Sequence, residues 1–394
     1  MEVKALSSSD PHQIVFLPEG RQTQILRSHI STSSRESIDL AMYTLEDDQS
    51  TKQMLKDLVQ ASLRGVRVRM LIDHFGNHLP QKYLEYLVSV GIDVRIFNGN
   101  VLDFLKYIAR RNHSKIIISD SLIVMLGGRN SGDQYVDQKP SGNMIDADTL
   151  IQGQAFAGKV SGYFQFLWDM SDSRTVSGKR HSRIESEMNL IRQLTFSEGE
   201  LNNIMNQNRQ EVTPNNIDFV EDKSQLDGHT ARLVREIQSA KKTIFMVTPY
   251  PVFPKLIYDA LVDAVSRGVN VFLVTNSHES NDLKIVQTGY VATTKEKLLQ
   301  NGIRVWELEG AKYALHAKLT VFDKFISYVG SFNWDNRSVQ NFESGVIVRD
   351  RKFAKTVMEH ARNITKGSLR QDPLAKSQCS QLLLGAGFLL SPFL

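Results

Sequence analysis

The sequence predicts an α/β protein built twice over, each half a mixed β-sheet flanked by helices. Three observations carry this. The first is an internal repeat: Arg64-Gly-Val-Arg-Val-Arg-Met-Leu-Ile-Asp73 lies over Arg267-Gly-Val-Asn-Val-Phe-Leu-Val-Thr-Asn276 at an offset of 203 residues. His113, Lys115 and Asp120 lie over His316, Lys318 and Asp323 at the same offset, as does Asn130 over Asn333. The second is the alternation of short apolar runs with amphipathic stretches in both halves. The third is composition. A chain of 394 residues suits two domains, and 41% hydrophobic with 23% charged residues excludes global disorder and fibrous classes.

The elements repeat in order. Ser37-Ile-Asp-Leu-Ala-Met-Tyr-Thr44 and Thr243-Ile-Phe-Met-Val-Thr248 read as buried strands. Met54, Leu55, Leu58, Val59 and Ala61 recur at helical spacing within 49–64, and Leu256, Ile257, Leu261 and Val265 do so within 255–267. Each pattern stops at Arg-Gly (Gly65, Gly268), where a glycine ends a helix readily, and a strand follows at once. The register slips to 211 where Gly91-Ile-Asp-Val lies over Gly302-Ile-Arg-Val, as loop insertions cause, and then recovers. Ile116–Ser119 with Leu122–Leu126 predicts a hairpin, and Leu319–Phe322 with Ile326–Val329 predicts its repeat. Residues 171–224 are polar and read as a connecting segment, helical around 184–193. The expected organisation is a first domain over 1–170, this connection, a second domain over 225–372 and an apolar tail over 373–394.

Charge and cysteine content narrow the function. Forty-seven basic against 43 acidic residues leave +4, compatible with anionic headgroups but too weak by itself to argue for nucleic acid. The single cysteine, Cys379, excludes a disulfide scaffold and a zinc cluster and favours a cytoplasmic setting. No uncharged apolar run reaches the ~18 residues of a spanning helix, and residues 1–20 lack the pattern of a secretory signal. The uncharged end, Leu382 to Leu394, is expected to meet a membrane interface.

The chemistry sits in the duplicated pattern His-x-Lys-x4-Asp followed by Gly-x-x-Asn. In extended chain, residues two apart share a face, so His113 with Lys115, and His316 with Lys318, point the same way. An imidazole beside an ammonium suits a phosphate: lysine and asparagine hold the non-bridging oxygens while histidine attacks phosphorus.

The paired motifs resemble those of the phospholipase D superfamily. Gly127-Gly-Arg-Asn-Ser-Gly-Asp-Gln-Tyr135 with Asp146-Ala-Asp148 is similar to the first-half signature of bacterial cardiolipin synthases. Thr275–Asp282, Gly289-Tyr290, Gly330-Ser-Phe-Asn-Trp-Asp-Asn-Arg-Ser338 and Glu343 are similar to the second. The resemblance spans roughly 37–350 and is to the type without N-terminal membrane helices. It implies two phospholipase D-like domains related by pseudo-twofold symmetry, with the active site at their interface.

It also implies a metal-free, cofactor-free transfer through a phosphohistidine. His113 by analogy is the nucleophile, and His316 is the acid and then the base. Lys115, Lys318, Asn130 and Asn333 bind the phosphoryl oxygens. Glu343 is expected to orient His316, with Asp146 as its first-half counterpart. Asp120 and Asp323 complete the catalytic motifs, stabilising the local fold rather than touching substrate. Symmetric motifs do not themselves say which histidine is the nucleophile.

The expected function is phosphatidyl transfer between alcohols, making cardiolipin from phosphatidylglycerol and a second phospholipid. The alternatives are a phospholipase D releasing phosphatidic acid, which includes a secreted effector, and a nuclease, against which the modest charge and the synthase-like loops argue. The expected partners are phospholipids and a membrane surface met peripherally, at the cytoplasmic face of the bacterial inner membrane. No nucleic acid is expected, and one chain should suffice. Of the other histidines, most belong to loops or surfaces; His278 lies in a motif loop beside the expected acceptor site. Trp334 is expected in the core. The basic stretch 106–112 precedes His113.

Overall fold

The computed structural model of the chain describes residues 11–98, 110–171, 176–223, 228–310 and 312–370. The expected apolar tail lies outside them, as does most of the basic stretch before Arg110.

The first half runs β1 (His12–Leu17), α1 (Gly20–Ser33), β2 (Ser37–Met42), α2 (Gln49–Leu63), β3 (Arg67–Asp73), α3 (Gln81–Ser89), β4 (Ile92–Phe97), β5 (Ile116–Ser119), β6 (Ile123–Gly127), β7 (Asn143–Ile145), β8 (Asp148–Gln152) and α4 (Gln154–Met170). Its sheet has the order β4-β3-β2-β5-β6-β8-β1. β2, β3 and β4 are parallel, joined by helical crossovers, and the remaining neighbours are antiparallel. Asp48 caps α2 by accepting the Thr51 N–H, and Gly65 at φ +91° ends it, as Gly268 at +85° ends the equivalent helix.

The connecting segment is built into both halves. It forms α5 (Ser182–Leu190), α6 (Glu198–Gln207), β9 (Arg209–Val212) and β10 (Ile217–Glu221). β9 extends the first sheet beside β1, and β10 opens the second sheet beside its last long strand. The crossing from one half to the other therefore falls between Val212 and Ile217.

The second half continues with α7 (His229–Ser239), β11 (Thr243–Val247), α8 (Lys255–Ser266), β12 (Asn270–Asn276), α9 (Lys284–Tyr290), α10 (Glu296–Gln300), β13 (Arg304–Leu308), β14 (Tyr313–Leu315), β15 (Leu319–Phe322), β16 (Ile326–Gly330), β17 (Ser344–Arg349), α11 (Arg351–Thr365) and β18 (Ser368–Arg370). Its sheet order, β10-β17-β16-β15-β11-β12-β13-β18, repeats the first with an added edge strand.

Each half has an outer core under its crossover helices. A third core joins them: Phe156, Val160 and Tyr163 of α4 and Phe353, Val357 and Ala361 of α11 are buried with strand residues of both sheets. Phe156 meets Phe219 of β10 at 6.0 Å, and Phe353 meets Phe16 of β1 at 6.1 Å, so each helix packs on the other half.

Candidate active site

Parallel βαβ units put the C-terminal ends of β2, β3 and β4 at one end of the first sheet, and those of β11, β12 and β13 at one end of the second. The His-x-Lys triplets lie in extended chain leading into the antiparallel strands β5 and β15, which start at those ends. His113, Lys115, His316 and Lys318 are all buried.

Two short pairings between the halves bring the triplets together. β7 and β14 run parallel, with Ile145 opposite Leu315, and the Ile145 carbonyl accepts the N–H groups of His316 and Ala317 at 2.8 and 2.9 Å. On the other side Asn112 bridges Phe342, and the Phe342 carbonyl accepts the His113 N–H at 2.9 Å. Each half thus lays the segment that ends in its acidic residue along the other half's histidine.

The acids are consequently crossed. His113 Nδ1 lies 2.8 Å from Glu343 Oε2, and His316 Nδ1 lies 2.6 Å from Asp146 Oδ2. This corrects the sequence expectation, which gave Glu343 to His316 and Asp146 to His113. Residue types and spacing define the four groups, but only the pairing across the interface defines partners. Engagement of Nδ1 orients each ring and leaves Nε2 for chemistry.

Each carboxylate is held in its own way. A Cβ on Gly128 would stand 2.1 Å from Asp146 Oδ1, so only glycine admits this carboxylate. At the repeat position Ser331 donates its hydroxyl to Glu343 Oε2 at 2.5 Å. Tyr163 of α4 donates to the Glu343 carbonyl at 2.9 Å, and Asp222 accepts the Glu343 N–H at 3.1 Å.

The surroundings break the symmetry. Buried Arg129 donates to the carbonyls of Leu17, Pro18 and Asp146, whereas its counterpart Phe332 stacks on His229 at 5.5 Å. Burial alone would raise the Asp146 carboxyl, but Lys318 and His316 outweigh it and hold the group below its ordinary value. Burial prevails at Glu343 against the pull of Lys115 and Ser331, and pushes it up to about 7. Burial, reinforced by Lys115 and Lys318, drives the His113 imidazole well below its usual range. Burial and Lys318 lower His316 too, opposed by Asp146. Lys318 is brought down to about 8 by burial, and the same cause holds Lys115 well below its ordinary value.

Asp120 and Asp323 stay out of this cluster. Both sit at φ +51° in the hairpin turns at the far ends of β5 and β15, roughly 20 Å along extended chain from the histidines. Asp120 accepts the N–H groups of Arg35, Glu36 and Ser37, and Asp323 those of Lys241, Lys242 and Thr243. They anchor the start of β2 and β11, which is the local stabilising role expected of them. Asn130 caps the Thr44 N–H through Oδ1 and donates to Tyr135 Oη at 3.0 Å. The Asn333 Oδ1 is buried with no hydrogen-bond partner among the described residues. Trp334 is fully buried, as expected. His278 lies exposed on its loop.

Several contributors were assigned no role from the sequence. Tyr43 packs edge-on to His113 at 4.7 Å and Tyr135 to His316 at 5.5 Å. Asp73 accepts the Asn112 N–H at 2.8 Å, tethering the approach to His113. Asn276 does the same for His316, accepting the Leu315 N–H at 2.7 Å and donating to its carbonyl at 2.8 Å. Asp73 and Asn276 end the repeated ten-residue block, so their equivalence was visible in the alignment; their task was not.

A family model described as cardiolipin synthase, PLD-like domain, matches residues 26–168 and again 233–365. The chain belongs to this family. Two PLD-like domains account for the doubled sheet, and each match contains one His-x-Lys triplet. Among relatives, cardiolipin synthase of Clostridium perfringens strain SM101 is 30% identical over 331 residues, covering 82% of this chain and 64% of the relative. Cardiolipin synthase C of Escherichia coli K12 is 25% identical over 406 residues, covering 90% and 85%. The phosphatidylserine synthase structure of Haemophilus influenzae Rd KW20 superposes with a TM-score of 0.73 at 12% identity, over 98% of this chain and 97% of that one. At that identity the likeness is one of fold: the two-domain PLD-like arrangement is shared along the whole chain.

Proposed function

We propose that the protein is a phosphatidyltransferase of the cardiolipin synthase type, joining the phosphatidyl group of phosphatidylglycerol to a hydroxyl of a second phospholipid. The observation that carries the reading is the crossed pair of acid–histidine–lysine sets facing one another across the domain interface.

His113 Nε2 attacks phosphorus, and the bond from phosphorus to the headgroup oxygen breaks. His316, as imidazolium, gives its proton to the departing glycerol. The incoming alcohol then yields its proton to His316 and displaces His113 from phosphorus, forming the new diester. Lys115 and Lys318, with Asn130 and Asn333 beside them, take the negative charge of the non-bridging oxygens and act by gripping the five-coordinate transition state more tightly than the diester. The electrostatic asymmetry supports this division of labour. Asp146, held low, opposes the burial that lowers His316 and so favours its imidazolium, which a general acid needs, and a neutral His113 keeps the lone pair that a nucleophile needs. Asp120 and Asp323 serve the fold.

Both substrates are bilayer lipids and the relatives are bacterial, so the reading places the enzyme peripherally at the inner membrane, on its cytoplasmic face. A single chain supplies both triplets, and no nucleic acid takes part.

The deciding assay uses purified protein with mixed phosphatidylglycerol and phosphatidylethanolamine liposomes, products followed by mass spectrometry. Cardiolipin with release of a headgroup, lost in His316→Ala, is expected. Phosphatidic acid alone would make water the acceptor and the protein a phospholipase D, and no lipid product would overturn the reading.

A further inference from the structure

The distribution of exposed apolar side chains is uneven. Phe75 follows β3, Leu283 and Ile285 follow β12, Tyr313 precedes His316, and Val339 precedes Glu343. Phe75, Leu283 and Val339 sit on loops, Tyr313 on the short strand β14 and Ile285 in the first turn of α9, all at the end of the sheets where the histidines lie, and all are 38–50% exposed. Isolated apolar residues on a surface need no explanation, but a group gathered at one end does. Of the other exposed large apolar residues among the described ones, Leu63 and Phe325 stand at the opposite end, at the close of α2 and in the β15–β16 turn, while Leu190, Leu256 and Leu369 lie on α5, α8 and β18.

Basic groups are interleaved with the five. The Arg111 guanidinium lies 3.4 Å from the Phe75 ring centroid, and Lys312 Nζ lies 5.3 Å from that of Tyr313. Lys284 stands between Leu283 and Ile285, and Arg337 lies two residues before Val339. Apolar tips flanked by cations match a phospholipid surface, where the tips enter the acyl boundary and the cations meet phosphates.

We infer that this rim, Phe75, Leu283, Ile285, Tyr313 and Val339 with Arg111, Lys284 and Lys312, docks the protein on an anionic phospholipid bilayer with the histidine-bearing end facing the lipid. The inference rests on the transferase reading and adds the surface it works through. A diester whose acyl chains stay in the bilayer reaches buried histidines only if the end that carries them lies against the headgroups. Docking in this orientation removes the need to extract the lipid into water.

The test separates docking from chemistry. Vesicle co-sedimentation is measured with phosphatidylglycerol–phosphatidylethanolamine vesicles for the parent, for Leu283→Ser/Ile285→Ser/Val339→Ser, for Lys284→Glu/Lys312→Glu, and for Leu63→Ser/Phe325→Ser at the opposite end. Turnover is measured in parallel on a monomeric short-chain phosphatidylglycerol. Both rim variants are expected to lose vesicle binding by about tenfold or more, with short-chain turnover and the opposite-end variant close to the parent. Unchanged vesicle binding in both rim variants, or an equal loss in the opposite-end variant, would overturn the inference. So would a change in oligomeric state without lipid that accounts for the loss, since the rim would then contact a second copy. Loss of short-chain turnover in every protein, parent included, with rim-dependent vesicle binding retained, would reject the transferase reading and uphold the docking surface.

Discussion

At the scale of the residue, the two histidines have the same neighbours by type and different ones by charge. Asp146 lies beneath Lys318 and His316 and is held low, while Glu343 is pushed up to about 7 by burial. The proposed transfer calls for such a difference, because it needs one ring neutral to attack while the other is charged to protonate. A donor whose leaving group needs no proton separates the roles. With phosphatidyl-p-nitrophenol, His316→Ala should release about one equivalent of nitrophenolate per enzyme and stop, the phosphatidyl group remaining on His113. His113→Ala should release none. Rapid-quench spectrophotometry with intact-protein mass spectrometry reads both, and a burst from His113→Ala instead would exchange the two roles.

At the scale of the element, the site depends on two pairs of short segments, β7 with β14 and 342–343 with 112–113. Neither pairing is long enough to be stable alone. Their register is imposed by Asp73 and Asn276, which tether the histidine segments from the ends of β3 and β12. The acid-bearing segments are fixed by close approach to the turn after β6 and the turn after β16. Gly128→Ala is therefore expected to displace Asp146, since its Cβ would lie 2.1 Å from the carboxylate oxygen. Misplacement on that scale costs roughly 100-fold in turnover, while the melting temperature stays near that of the parent. Steady-state kinetics beside a thermal melt checks this, and an Ala variant with full activity would show that Asp146 does not need its present position.

At the scale of the whole molecule, the duplication has become one cooperative body. The central core draws on α4, α11 and strands of both sheets, and each of the two helices packs on the partner half. The connecting segment adds β9 to one sheet and β10 to the other. Phe353→Ala, which empties a fully buried site in this shared core, is expected to cost about 3–5 kcal/mol. Calorimetry should show a single transition moved downward as a unit. Two separated transitions, with only the second-half one shifted, would mean that the halves unfold independently.

The sequence by itself determined the class, the repeat and the two His-x-Lys triplets that the interface brings together. Strand alternation, glycine stops and the offset of 203 are local properties, written in consecutive residues and therefore legible. His113, Lys115, His316 and Lys318 were readable because their spacing is their chemistry, and Asp120 and Asp323 because a turn aspartate acts on its own neighbourhood. What only the tertiary structure decided is which acid serves which histidine. Glu343 lies 27 residues from His316 in the chain and 230 from His113, so sequence proximity favours the wrong pairing. The interface strands choose the other, because parallel pairing across the pseudo-twofold axis carries each acid into the opposite half. The unequal charge of the two sites arises in the same way, since burial beside Lys318 or beneath Tyr163 exists only once the halves have met.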